Sequence, residues 1–337
     1  MLRSLVVEQD DYPLKAPFRI SRGIKTRATV ITVHLIQDGH TGRGEGVPYP
    51  RYRETFDTAR REIEGVRDLI EGEADHSTIL AAMPEGAARN AVDCALWDLA
   101  AALTGKSVAS MLGLPQPLRT ASAITIGIEE PDAMADVARA NAHVPLLKVK
   151  LDADRIEERL RAVRTAAPLP RLIVDPNESW GFADLTAIEP LLVGHRVDLI
   201  EQPLPAEADG ALGSFTSRIP ICADEAAHVA GDLDGLVGRY QVVNIKLDKT
   251  GGLTGAVEMA DRARALGFGV MVGCMVSSSL SIAPALLLAA RADFVDLDGP
   301  LWLRADHADG VLDTDGWLCP PSDGFWGTTL GAGFDRT

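Results

Sequence analysis

Three carboxylates stand out by position. Asp175, Glu201 and Asp224 each close a short apolar run (LIVD, DLIE, ICAD) in the central part of the chain. Three carboxylates converging on one point repel one another strongly unless a cation neutralises them. Ligation that is all oxygen, with no His or Cys nearby, selects a hard ion, and Mg2+ fits best. Lysines flank the trio on both sides. Lys148 and Lys150 alternate with Val149, so both point to one side of a strand, and Lys246 ends the run QVVNIK. A lysine among other cations has its pKa lowered and can serve as a base near neutral pH. Lys148 would lower the pKa of Lys150 while lying within reach of a substrate carboxylate. The order base, acid, acid, acid, base describes a 1,1-proton transfer. The metal stabilises an enediolate, one lysine removes the α-proton from one face, and the other returns it from the opposite face. Plainer readings compete: a strand-end carboxylate is also a good helix N-cap, and lysines beside carboxylates can be counterions.

Those side chains need a scaffold that gathers strand ends. From about residue 119, short apolar runs alternate with amphipathic helical patterns, at 123–126, 146–149, 172–174, 198–200, 219–222, 241–245, 269–272 and 294–297. Alternating β and α elements predict a parallel sheet. Eight such units predict an α/β fold closed into a (β/α)8 barrel, with its active site at the C-terminal strand ends. An open doubly wound sheet is the alternative, weakened by the lack of G-x-G-x-x-G after the first strand.

Residues 1–115 have another texture. Stretches 2–8 and 29–36 (TVITVHLI) read as strands, with a basic loop, 21–27 (SRGIKTR), between them. The Gly- and Pro-rich stretch 42–52 (GRGEGVPYPRY) reads as loop. Residues 55–71 and 86–103 carry helical patterns, the second stopped by Gly105. These predict an α+β capping domain over 1–115, completed by 305–337, on a barrel domain over 116–304.

Composition narrows the partners. The 337 residues include 48 acidic and 33 basic side chains, for a net charge of -15, which leaves no broad basic surface for nucleic acid. Cys94, Cys222, Cys274 and Cys319 form no C-x-x-C pair and read as reduced thiols rather than zinc ligands. The N-terminus lacks the apolar segment of a signal peptide. The longest apolar stretch, 282–290, falls far short of the ~20 residues of a membrane span. A cytoplasmic protein with neither membrane nor nucleic-acid partner is expected.

Several motifs act jointly: KVK (148–150), DPNE (175–178), EQPLP (201–205), DE (224–225), NIKLDKTGG (244–252) and ARNAVDCALWDLA (88–100). Through them the sequence resembles, over essentially its whole length, the enolase superfamily, whose members use Lys or His bases with Mg2+. Within it the match is to the muconate-lactonizing-enzyme subgroup, and most closely to the L-Ala-D/L-Glu (dipeptide) epimerases. The resemblance implies that Asp175, Glu201 and Asp224 bind Mg2+, that Lys150 and Lys246 are the acid/base pair, that Lys148 assists at the carboxylate, and that Thr125 contacts substrate. Asp296 and Asp298 of DLDGP would hold the α-ammonium group of a dipeptide. The basic loop would reach over the barrel mouth, with Arg22 and Lys25 as candidates for a glutamate side chain. Arg22 is preferred for its planar fork. Lys249 is read as structural. The resemblance also implies a homo-oligomer and a role in recycling murein peptides. Two departures bear on it. Many relatives carry Glu in the segment where this chain has GCMVSSS (273–279), and Pro176 follows Asp175 where Ala or Gly is common. The rival activities are o-succinylbenzoate synthase, N-acylamino-acid racemase and muconate-type cycloisomerase, against which the D-x-D pair argues. A non-catalytic ligand-binding barrel is a further rival, against which the two lysines argue.

Overall fold

The computed structural model describes residues 2–327. Strands β1 (Ser4–Ile20) and β2 (Gly23–Gln37) form a long antiparallel hairpin, and β3 (His40–Gly46) pairs with the far edge of β2. The expected basic loop is therefore mostly strand. Ile20 pairs with Gly23 and Phe18 with Lys25, leaving Ser21 and Arg22 as the turn. The expected strands 2–8 and 29–36 pair with each other at the base of the hairpin, while the stretch between them is largely exposed, so no apolar alternation marks that part in the sequence.

The stretch 42–52 is the second correction, since its first half is β3. The glycines are there for packing. A Cβ on Gly42, Gly44 or Gly46 would lie 2.3, 2.1 or 2.1 Å from the carbonyl oxygens of Ala95, Ala91 and Ala87. Short helices α1 (Phe56–Gly65), α2 (Arg67–Glu71) and α3 (His76–Ala81) lead into α4 (Ala87–Thr104), which carries those alanines one turn apart and lies directly on β3. Gly105 ends α4 in the left-handed conformation, at φ 66°. The predicted helix 55–71 is broken at Val66. Ile31, Val33 and Leu35 pack with Ile63, Ile70, Ile79, Val92 and Leu99 as the core of this body.

After α5 (Val108–Leu112) and the two-residue β4 (Thr120–Ala121), eight parallel strands follow in ring order: β5 (Ile124–Ile126), β6 (Leu146–Lys150), β7 (Arg171–Asp175), β8 (Leu199–Glu201), β9 (Ile221–Ala223), β10 (Val242–Ile245), β11 (Gly269–Gly273) and β12 (Phe294–Asp296). Ala123 N donates to Val295 O at 2.8 Å and Leu297 N to Ser122 Oγ at 2.9 Å, which closes the ring. The outer layer holds α6 (Pro131–Ala140), α7 (Ile156–Ala166), α8 (Phe182–Gly194), the single turn α9 (Leu247–Thr250), α10 (Leu253–Ala265) and α11 (Ser279–Ala289). After β8 and β9 the expected helices are 3-10 turns, at Ala206–Ser214 and Ala230–Leu236. These segments carry Gly210, Gly213, Gly231 and Gly235, and each glycine in an α-helix costs about 1 kcal/mol against alanine. A 3-10 turn, Gly299–Trp302, also follows β12.

Strands β13 (Leu312–Thr314) and β14 (Trp317–Cys319) join β4 in a small sheet. The chain then returns to the N-terminal body, where Trp326 Nε1 donates to Arg43 O at 2.9 Å and Val108 N to Gly327 O at 2.8 Å. Residues 328–337 of the expected closing segment lie outside the described residues.

Gly44→Ala should lower stability by about 1–3 kcal/mol through overpacking against α4, read by denaturant unfolding. An unchanged midpoint would show that strand and helix are not in the close contact described.

Candidate active site

Side chains alternate in and out along each barrel strand. One apolar residue from every strand forms an inner layer: Ala123, Leu146, Ile173, Leu199, Cys222, Val242, Met271 and Phe294. Two residues further along, on the same side, stand Thr125, Lys148, Asp175, Glu201, Asp224, Asn244, Gly273 and Asp296. Two more residues bring Lys150, Lys246 and Asp298 to the mouth. The polar site thus sits on the apolar plug in register. In the eight-strand ring, β6 and β10 lie four strands apart, so Lys150 and Lys246 face each other across the mouth. The three carboxylates fill the arc of β7, β8 and β9 between them. Thr125, Asp296 and Asp298 occupy the other arc.

The charges interlock. Lys148 Nζ lies 2.7 Å from Glu201 Oε2, 2.7 Å from Asp296 Oδ2 and 3.1 Å from Asp175 Oδ2. Lys150 Nζ donates to Asp175 Oδ2 at 2.5 Å, and Lys246 Nζ to Asp224 Oδ2 at 2.7 Å. Burial opposes the charged form of Lys148, but Asp296, Glu201 and Asp175 override it and raise its pKa. Burial likewise opposes charge on Lys246, and Asp224 and Glu201 override it. The expectation of a lowered pKa is thus not met at the flanking Lys246, because carboxylates rather than cations are its nearest neighbours. Burial works to raise Asp175, yet Lys150 and Lys148 hold it at about 2. Glu201 is pushed up, by burial and by the charge of Asp175.

As the side chains stand, no three carboxylate, imidazole or thiol groups among the described residues converge closely enough to grip a metal ion. The donor set nevertheless suits one. It is all oxygen, and Glu201 Oε2 is buried with the Lys148 ammonium 2.7 Å away but without a well-formed hydrogen bond. Asp175, Glu201 and Asp224 are the residues that would hold a hard cation.

The hairpin tip closes the mouth. Ile128 N donates to Arg19 O at 3.0 Å, and Ser21 Oγ to Asn177 O at 3.1 Å. Beneath it Arg22, Lys25, Thr125, Lys148, Lys150, Lys246, Asp296 and Asp298 all line one cavity of about 60 Å³. Arg22 is engaged by the chain itself, 2.6 Å from Glu225 Oε1, 3.1 Å from Glu178 Oε2 and 3.2 Å from Tyr49 Oη. Lys25 makes no ion pair among the described residues and stands 4.6 Å from the centre of the Tyr49 ring. Burial, then the nearby Lys246 and Arg22, lowers its pKa to about 8. On the far side, Asp298 Oδ2 accepts from Thr125 N at 2.7 Å. Burial and the charge of Asp296 raise the Asp298 carboxyl to about 6. Asp296 Oδ1 is buried without a hydrogen bond.

Sequence reasoning missed four contributors. Asn244 Nδ2 donates to Glu201 Oε1 at 2.9 Å, and the two-residue alternation from Lys246 would have found it. Gln202, held at φ 36°, accepts from the backbone N–H of Asp224 and Ala226 at 2.8 and 3.1 Å. Glu225 is the buried partner of Arg22. Glu45, at the end of β3, accepts from Ser278 N and Oγ at 2.9 and 2.5 Å, so it caps α11 from the N-terminal body. Gln202 lay inside the EQPLP motif without an assigned role, and nothing in the local sequence marked Glu45. Lys249 is buried, and its Nζ donates to Asp224 Oδ1, Asp224 O and Asn244 O at 2.7, 2.6 and 2.9 Å.

Fold and site together define a capped barrel with carboxylates and lysines interleaved at its strand ends. Residues 2–113 match the model of the mandelate racemase/muconate lactonizing enzyme N-terminal domain, and residues 132–322 match that of the enolase C-terminal domain-like family. An L-Ala-D/L-Glu epimerase of Escherichia coli (strain K12) is 46% identical over 94% of this chain and 99% of that protein. An N-acetyl-D-glutamate racemase of a Pseudoalteromonas species is 45% identical over 88% of this chain and 95% of that one. Among solved structures, an enolase family member from Agrobacterium tumefaciens with homology to dipeptide epimerases, holding sodium and L-Ala-L-Glu, superposes with a TM-score of 0.94 at 43% identity, covering 96% of this chain and 99% of that one. A dipeptide epimerase of Cytophaga hutchinsonii, complexed with Mg and D-Ala-L-Val, superposes with a TM-score of 0.89 at 27% identity, covering 95% and 94%. The chain belongs to the mandelate racemase/muconate lactonizing enzyme family of the enolase superfamily, and it is an isomerase. No helix among the described residues is long and apolar enough to cross a membrane.

Burial raises the Glu45 carboxyl from 4.5 to about 8. The folded protein therefore keeps a proton that the unfolded chain releases, and stability present at low pH is lost as pH rises through about 8. Glu45→Gln removes this titration. Between pH 5 and 8.5 the wild type should lose stability relative to Glu45→Gln in denaturant unfolding. A constant difference across that range would contradict a neutral Glu45.

Proposed function

We propose that this protein is a Mg2+-dependent dipeptide epimerase, acting on L-Ala-L-Glu and L-Ala-D-Glu and inverting the α-carbon of the C-terminal residue by two-base 1,1-proton transfer. The observation that carries the reading is the placement of Lys150 and Lys246 on opposite sides of the ring, with carboxylates on one arc and the Asp296/Asp298 pair on the other. A dipeptide laid across the mouth puts its carboxylate on the first arc, its ammonium group on the second, and its α-carbon between two amines. A divalent ion held by Asp175, Glu201 and Asp224 supplies positive charge against the substrate carboxylate as the α-proton leaves. Lys150 and Lys246 then take and return the proton from opposite faces. Lys148 stays charged and steadies both arcs. Thr125 holds Asp298 in place through its backbone N–H. The buried, unsatisfied Asp296 Oδ1 suits an ammonium group.

For the glutamate side chain, Lys25 replaces Arg22 as the preferred partner. Arg22 already has two carboxylates of the chain, and its planar fork is spent on holding the hairpin tip. The identity to the E. coli epimerase supports the Ala–Glu pair, and with it turnover of murein peptides. Division into a cap over 1–115 with the C-terminal segment, and a barrel over 116–304, belongs to the same proposal, as do cytoplasmic residence and homo-oligomer formation.

A second reading has its own observation. Lys148 pairs with Asp296 and Thr125 N binds Asp298, so this end of the cavity is partly neutralised and is not closed to an amide. N-acylglutamate racemisation is therefore the alternative, supported by the Pseudoalteromonas relative.

Proton NMR in D2O with Mg2+ tests both. L-Ala-L-Glu should lose its Glu α-proton signal while a second diastereomer appears, and chelation should stop the reaction until Mg2+ is restored. Turnover of N-acetyl-L-glutamate in place of the dipeptide would transfer the assignment to the second reading. Lys150→Ala and Lys246→Ala should each cut epimerisation by about 10²–10⁴-fold, each leaving α-proton exchange in the one diastereomer that the surviving lysine faces.

Lys25→Met should raise KM for L-Ala-L-Glu while leaving a neutral L-Ala-L-Xaa dipeptide unaffected. With Lys25 charged below about pH 8, wild-type KM for the acidic dipeptide should climb above that pH and KM for the neutral one should not. Parallel behaviour of the two substrates would remove Lys25 from the side-chain site.

A further inference from the structure

Lys246 opens α9, a turn of four residues. It has extended backbone (φ -122°, ψ 130°), and its carbonyl accepts from Lys249 N and Thr250 N at 2.9 and 3.1 Å. The turn ends at Gly251 and Gly252, at φ 70° and 110°. A Cβ on Gly252 would lie 2.3 Å from Asp93 Oδ2, so the turn is seated against α4. Two side chains of this short stretch, Lys246 and Lys249, tie it to Asp224 in the barrel. Asp248 reaches the other way. Its Oδ1 accepts from Val47 N at 2.8 Å and from Asn90 Nδ2 at 2.8 Å, and the same Asn90 nitrogen donates to Glu45 O at 3.1 Å. Val47, Asn90 and Asp248 are all buried.

We propose that Asp248 is a positioning residue for Lys246, fixing the turn that carries this lysine to Val47 and Asn90 of the N-terminal body. The inference rests on the two-lysine reading. A lysine acting as a base must be neutral when it receives the proton, and a neutral amine has little hold on Asp224. At that moment its place depends on the backbone of the turn, and the turn depends on Asp248. Burial pushes the Asp248 carboxyl up to about 6, a cost that the two hydrogen bonds offset. Lys150, on β6 across the ring, has no such tie to the N-terminal body among the described residues.

The test is α-proton exchange in D2O with Mg2+, measured separately for L-Ala-L-Glu and L-Ala-D-Glu. Lys246→Ala identifies the diastereomer that depends on Lys246. Asp248→Ala should slow exchange in that diastereomer by about tenfold or more, since a small misplacement of a reacting group is costly, and leave the other within about twofold. Asp248→Asn keeps the accepting oxygen and should restore exchange. Loss of both diastereomers in parallel, loss of the wrong one, no loss, or failure of Asp248→Asn to restore exchange would each overturn the positioning role. If Asp248→Ala does not fold, Asn90→Ala, which frees one of the two contacts, should show the same asymmetry in weaker form, and symmetric or absent loss there overturns the proposal equally. If Lys246→Ala itself spares both diastereomers, it is the two-base reading that fails, whatever Asp248 does.

Discussion

Buried charge at the barrel mouth is the constraint that the rest of the structure answers. Asp175, Glu201 and Asp224 are almost fully buried on neighbouring strands, where uncompensated carboxylates would be prohibitive. Lys148 answers two of them and Asp296 at once, Lys150 shares Asp175, and Lys246 and Lys249 divide the two oxygens of Asp224. Asn244 and Gln202 supply the neutral donors and acceptors that fix the remaining oxygens and backbone. Closure of the ring makes this possible, because it holds eight strand ends at fixed spacing around one axis. The apolar layer two residues below keeps the inward register of every strand, so the placement of each charge follows from the packing beneath it.

This also explains which features were legible in the sequence. Asp175, Glu201 and Asp224 showed because each ends an apolar run that cannot avoid burial, and Lys148 and Lys150 showed because alternation puts them on one side. The base of the hairpin showed as strands 2–8 and 29–36, but its full length did not. The outer part runs largely through solvent, so nothing apolar marks it, and a stretch such as SRGIKTR has loop composition while pairing as strand. The glycines of 42–46 misled for the opposite reason. They signal close approach of a helix rather than a turn, and that is visible only once Ala87, Ala91 and Ala95 are seen facing them. Arg22 looked like a free fork for substrate because its partners, Glu178 and Glu225, lie more than a hundred residues away in sequence.

The N-terminal body and the barrel divide the work at one seam. The barrel provides the charges at the strand ends, and the hairpin tip provides the lid and the cations Arg22 and Lys25. The seam is polar and buried: Glu45 caps α11, and Asp248 holds Val47 and Asn90. Gly252 leaves no room between α9 and α4. Such contacts demand a defined geometry, since each leaves an unsatisfied buried group if it slips. The two bodies are thereby held in one relative position at the point where the turn bearing Lys246 meets β3.

Lys148 ties the two arcs of the mouth together. Its ammonium group touches Glu201 and Asp175 on one side and Asp296 on the other, so a charge change on either arc is felt on the opposite one. An ammonium group settling on Asp296 competes with Lys148 for that carboxylate and throws more of the lysine's charge toward Asp175 and Glu201. A cation settling on Asp175 and Glu201 does the reverse and strengthens the hold of Lys148 on Asp296. On the proposed reading, recognition of the amino end and neutralisation of the carboxylate arc are therefore energetically linked through one buried side chain. A methionine in its place would fill the space and leave Asp296 with no buried cation beside it.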